Sequence, residues 1–104
     1  MANYLLVYHG GSMPEGEAAQ KQITEAWNAW FGQLGDALVD GGNPASGTRV
    51  ISSDGSVAEG GATSPTGYSI IKTDSFDKAV AAAKMCPVLG AGAMIEVVET
   101  FNAM

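Results

Sequence analysis

The chain has 104 residues, 46% of them hydrophobic and 15% charged, with a formal net charge of −6. That allows one domain with one modest core and is too apolar for wholesale disorder. Arg49 is the only arginine, so no basic stripe exists to displace counterions from nucleic acid or to dock on an anionic membrane, and no apolar run is long enough for a membrane span.

Asn3 to His9 predicts a first strand, with Tyr4, Leu6 and Tyr8 on one face and Leu5, Val7 and His9 on the other. Its nearly continuous apolar character predicts that both faces are covered. The start MANYLLVYHGG has no basic n-region, a very short apolar core and no small-residue cleavage site, which predicts a cytoplasmic protein. The lone Cys86 agrees with that, since small secreted domains usually carry paired cysteines.

Gly10 to Pro14 predicts a turn into a first helix, with Ser12 or a close neighbour as the cap and Pro14 in a first helical position. Glu15 and Glu17 suit the positive end of the helix dipole. Ala19, Ile23, Ala26, Trp27, Trp30 and Leu34 then form one wide apolar stripe, and Gly32 and Gly35 loosen and end the helix. Ala37 to Val39 starts a second strand, interrupted by Gly41-Gly42-Asn43-Pro44. A hairpin follows, Thr48 to Ser52 out and Ser56 to Glu59 back around Asp54-Gly55. Gly60 to Thr66 reads as a loop.

Tyr68 to Lys72 is a third strand, rich in β-branched residues. Thr73-Asp74-Ser75 stops it and supplies an N-cap. Phe76, Ala79, Val80, Ala83 and Cys86 make the stripe of a second helix, which Pro87 ends. Gly90 to Gly92 turns the chain into a last strand, Met94 to Val98. Two βαβ units joined this way predict a single α+β domain over residues 1–104, a ferredoxin-like βαββαβ plan with an extra hairpin. Its four-stranded antiparallel sheet carries both helices on one face. The bare face still bears apolar residues, which predicts that two copies pack those faces together as a homodimer.

The run GYSIIKTDSFDKAVAAAKMCPVLGAGAMIEVVE resembles the end of the YCII-related, or DGPF-type, domain family: a strand opening with Gly-aromatic, an acidic cap, a helix ending in Cys-Pro, a Gly-rich turn and a strand ending in Glu-Val. The short first strand, the Trp-bearing first helix and Asp40-Gly41-Gly42-Asn43-Pro44 fit as well, so the resemblance covers essentially the whole chain. It implies a dimeric α+β barrel. The His–Asp pair taken as catalytic in some YCII-type members has its His on helix one, where this chain has Trp27 and Trp30 and no His. The Asp-Gly-Pro-Phe signature of the other branch is absent too.

Few residues here bear chemistry. His9, the one histidine, could serve as a general base or simply bond to a loop. Asp40 could pair with His9 or Arg49, or form an Asx-type turn. Glu96 alternates with Met94 and Val98, so its carboxylate faces an apolar surface and is a candidate acid or base, with Lys72 as the plainer partner. Trp27 and Trp30 read as core aromatics or as a stacking surface, and Arg49 is suited to gripping a carboxylate. His9-Gly10-Gly11-Ser12 is similar to the oxyanion-hole stretch of lipases, yet no G-x-S-x-G elbow accompanies it. Cys86 reads as a buried apolar residue. One His and one Cys make no metal cluster, and no cofactor is expected. Two functions follow. One is a ligand-binding or regulatory protein holding a small, partly apolar molecule in a cleft or at the dimer seam, with Tyr8, Ser12, Trp27, Trp30 and Arg49 as candidate contacts. The other is a small enzyme using His9 with Asp40 or Glu96 for proton transfer.

Overall fold

In the computed structural model, which describes residues 1–12, 15–60 and 64–102, strand β1 (Ala2–Gly10) runs through the middle of the main sheet. Its alternation is visible in the burial: Tyr4, Leu6 and Tyr8 are buried, while Leu5, Val7 and His9 are half-buried. The outer face of β1 is therefore only partly covered within one chain, where the apolar run predicted cover on both faces.

The remaining strands of this sheet are β2 (Leu38–Asp40), β5 (Gly67–Thr73) and β6 (Ala93–Glu99). They lie in the order β2-β5-β1-β6, and every neighbouring pair is antiparallel. Counting only these four strands, the order is second, third, first, fourth, which is compatible with the ferredoxin-like plan. The register sets Leu6 opposite Ser69 and Val97, and His9 opposite Met94. The register shifts within the short edge strand β2, between Leu38 opposite Ile71 and Asp40 opposite Ile70.

Helices α1 (Glu17–Leu34) and α2 (Phe76–Ala83) cover the Tyr4–Leu6–Tyr8 face. Trp30, Ala79, Ala83 and Cys86 complete the buried cluster with Ile71. Complete burial of Leu6 and Ile71 contributes about 1.5–3 kcal/mol each. The small side chains of α2 let that helix sit close to the sheet. There the Trp30 indole Nε1–H donates to the Ala82 carbonyl at 3.0 Å, fixing α1 against α2.

Ser75 caps α2, its hydroxyl accepting from the Lys78 N–H at 3.1 Å. Asp74 and Lys78 add an i,i+4 ion pair on the surface. Helix α1 starts differently from expectation: Gly16 stands at its N-cap with no side-chain cap, and the Ser12 N–H donates instead to the Ala91 carbonyl. The first-turn role expected of Pro14 falls outside the described residues. Along α1, Ala26 is exposed, whereas Phe31 packs against the core. Helix α2 ends at Ala83, and Pro87 opens a 3₁₀ turn, Pro87–Ala91, that leads into β6.

Strands β3 (Arg49–Ile51) and β4 (Val57–Glu59) form a separate two-stranded sheet. Every residue of both strands is exposed. The tip is a turn in which Asp54 Oδ1 accepts from the Ser56 N–H and hydroxyl, with Gly55 at φ +89°. This hairpin makes the molecule flat and extended, 46 × 38 × 18 Å. Its radius of gyration is 15.1 Å, where about 13 Å is usual for a domain of this size.

Gly42 shows how tightly the segment after β2 lies on β5. Its φ is +77°, and a Cβ there would overlap the Tyr68 carbonyl oxygen. No helix among the described residues is long and apolar enough to cross a membrane. Urea unfolding should find Ser75→Ala destabilised by about 1 kcal/mol, with Gly42→Ala losing more because the loop would have to lift off the strand.

Candidate functional site

A cleft of about 600 Å³ opens between α1 and one end of the sheet. The helix wall is Ile23, Thr24, Trp27, Asn28 and Phe31, which recur at three- and four-residue spacing on one side of α1. The opposite wall is backbone-rich: Gly41 to Ala45 on one side, and Thr66 and Gly67 at the start of β5. Gly10 to Ser12, Val88 and Ala91 close the third side.

Glycine lets these walls pack closely against the rings. A Cβ on Gly41 would press on the Phe31 ring at 3.2 Å, and one on Gly67 would meet the Tyr8 ring at 3.2 Å. The loop wall is bonded to the strand ends. Pro44 bridges Gly67, the Ala45 N–H donates to the Thr66 carbonyl, and the Thr66 N–H donates to the Tyr8 carbonyl at 2.7 Å. The Thr66 hydroxyl also reaches the Tyr8 and Gly10 carbonyls.

The floor is aromatic. Trp27 stands at the centre, with ring centroids 5.7 Å from Tyr8, 5.6 Å from Trp30 and 5.7 Å from Phe31. The Tyr8 and Trp30 contacts are edge-to-face, which the ring quadrupoles favour. Beneath Trp27, Tyr8 anchors the floor through a buried relay. Its hydroxyl donates to Ser69 Oγ at 2.7 Å, and the Ser69 hydroxyl donates to the Gly41 carbonyl at 2.8 Å. Ser69 is fully buried, so one side chain joins β1, β5 and the glycine wall.

Of the residues expected to contact a ligand, Tyr8, Ser12 and Trp27 line the cleft. Trp30 lies below it, 2% exposed and bonded to Ala82. Arg49 is on the hairpin, loosely opposite Glu59 at 3.8 Å. Phe31, Asn28 and Asn43 are cleft residues that sequence reasoning passed over. Phe31 had a usable signal, four residues beyond Trp27.

The residues expected to move protons are elsewhere. His9 Nε2 donates to Glu96 Oε1 at 2.6 Å, a diagonal pair on β1 and β6. Both side chains lie on the face of the sheet turned away from the helices, opposite to Tyr8. Lys72 is not the partner of Glu96, because the register sets it opposite Asn3 at the far end of β1. Asp40 accepts from the Gly42 N–H at 2.9 Å, an Asx-type turn. Strand β5 lies between β1 and β2 and keeps Asp40 from joining the His9–Glu96 pair as a neighbouring-strand partner. Among the described residues no group of three or more His, Cys, Asp or Glu side chains is placed to hold a metal ion.

Burial raises the pKa of the Tyr8 phenol, with the neighbouring Cys86 adding to the shift. Burial also pushes the Cys86 thiol up. Both groups hold their protons more tightly folded than unfolded, so their contribution is complete below the unfolded thiol value, about pH 8.5, and declines as pH rises through the folded values. Urea midpoints should therefore fall from about pH 8.5 upward, and in Cys86→Ala the fall should begin only in the tyrosine range. Ser69→Ala should cost about 1–3 kcal/mol. In a double-mutant cycle, Tyr8→Phe combined with Ser69→Ala should lose less than the sum of the two single changes, because both break one relay. No family model and no curated protein matches the chain.

Proposed function

We propose that this protein binds a small organic molecule in the cleft between α1 and the end of the sheet, and that it does so without transforming it. The observation that carries this reading is the composition of the cleft. It combines a Trp-centred floor with walls that hold hydroxyl and amide groups but no carboxylate, imidazole or amine among the described residues. Ligand sites are typically concave, mostly apolar and set with a few polar groups, within about 300–1,000 Å³. General acid–base work needs a titrating group within hydrogen-bond reach of the substrate. The cleft lining supplies hydroxyls without a base beside them.

The functional unit in this proposal is a homodimer joined through the open sheet face. Supporting it, Leu5, Val7 and Ile70 form a half-buried apolar centre on that face. Met94 and Val98 flank it at 69% and 39% exposure. Apolar patches of this kind on a sheet commonly mark association surfaces. The hairpin adds Val50, Ile51 and Val57, all exposed, as further surface for the second copy to cover. Kinship with YCII-related domains belongs to the same proposal. It rests on the compatible strand order and on the order of capped helix, Gly-rich turn and last strand.

The second reading, an enzyme, is favoured by one observation, the 2.6 Å His9–Glu96 pair. Since that pair lies on the open face, its substrate would bind at the seam between copies rather than in the cleft. The two readings separate by mutation. Trp27→Ala should abolish capture of cleft ligands while leaving the far-ultraviolet circular dichroism unchanged, and His9→Ala should leave capture intact. The opposite pattern would move the site to the seam. Sedimentation at micromolar concentration should show a dimer that Val7→Lys with Ile70→Lys converts to a folded monomer. A monomeric wild type would sink the dimer.

A further inference from the structure

The geometry points to an uncharged aromatic compound as the ligand of the cleft, a refinement that rests on the cleft-binding reading above. Three features of the site converge on it. The first is electrostatic. No Asp, Glu, Lys, Arg or His lines the cleft among the described residues, and the chain carries a net charge of −6. An ionic ligand would lose its hydration without meeting a counter-charge, a desolvation loss that unpaired charges do not recover. An anion would also approach against the overall field of the protein.

The second feature is the floor. Trp27 is half-buried rather than sealed into the core, and Tyr8, Trp30 and Phe31 hold it on its other sides with centroids within 5.7 Å. A ring presented this way offers a rigid apolar surface whose orientation is already set, so a flat guest loses little freedom in the partner when it stacks. The facing wall opens on Gly41 and Gly42 before Asn43, Pro44 and Ala45, and the missing side chains of the two glycines leave room for a flat guest.

The third feature is the polar equipment. Ser12, Thr24, Asn28 and Asn43 at the cleft are all neutral groups. Ser12 and the two asparagines can donate and accept, while the Thr24 hydroxyl donates to the Gln20 carbonyl at 3.0 Å and offers an acceptor. They match a hydroxyl, carbonyl or amide on the guest. A carboxylate or phosphate would call for a charged donor such as an arginine fork. Together these features select a neutral ring system with one polar substituent over its acidic or basic analogues.

A series of near-isosteric naphthalenes tests this directly: 2-naphthol, 2-naphthoate and 2-naphthylmethylammonium, titrated calorimetrically into the full-length protein at pH 7. The neutral compound should bind about tenfold tighter than either ion, a factor corresponding to one step on the affinity scale. Trp27→Ala should remove the difference, while His9→Ala should preserve it. If either ion binds as tightly as 2-naphthol and still depends on Trp27, the ligand is not of the neutral class, although the cleft reading stands. If none of the three gives Trp27-dependent binding, both the ligand class and the cleft reading fall.

Discussion

The hydroxyl of Ser69 decides the shape of the working end of this molecule. It is fully buried, it accepts from Tyr8, and it donates to the Gly41 carbonyl. A buried hydroxyl without partners would be a standing cost, and here both of its bonds connect elements far apart in sequence. Tyr8 brings the floor aromatics with it, and Gly41 brings the wall. The slot between them is therefore tied together by the two bonds of one buried hydroxyl. The close approach of Gly42 to the Tyr68 carbonyl makes the same junction intolerant of added bulk.

The two faces of β1 divide the chemistry of the protein. Tyr8 points under α1 into the aromatic cluster, and its neighbour His9 points to the opposite face, where it meets Glu96. A strand alternates by its geometry, so adjacent residues serve surfaces that never meet. That separation is why the described residues of the cleft can be neutral in a chain that still carries a carboxylate–imidazole pair. The open face, with Leu5, Val7 and Ile70 at its centre, presents that pair within an apolar field.

The last third of the chain was legible in the sequence because its signals are local. The Ser75 cap, the buried Ala79 and Ala83 and the β-branched run of β5 each act within a few residues, and the structure has them in those places. Phe76 of the same stripe, by contrast, is 43% exposed, and Cys86 is buried just beyond the end of α2. The start of α1 was harder. Ser12 looks like a cap from composition, but its N–H is drawn to the Ala91 carbonyl beside it, and Gly16 takes the N-cap position. The cleft was only partly legible. Trp27 and Tyr8 stand out as aromatics, whereas Asn43, Thr66 and Val88 become neighbours through long-range pairing that no spacing rule reports. The partner of Glu96 was hidden for a related reason. Alternation gives the face of a residue, but only the register shows that His9 lies diagonally across from it.

The hairpin β3–β4 has a consequence of another kind. Its strands pair only with each other and bury none of their residues, and two-stranded ribbons alone are marginal in water. The main sheet and its helices hold the core without drawing on it. The ribbon is thus an appendage of the core, closed at its base by the Gly60 N–H donating to the Thr48 carbonyl. Amide exchange would be fast in the outer ribbon and slow along β1, and a single unfolding free energy would describe the sheet while missing the ribbon. The ribbon then acts as a thermometer for its surroundings: its protection from exchange rises only when something outside the chain covers it.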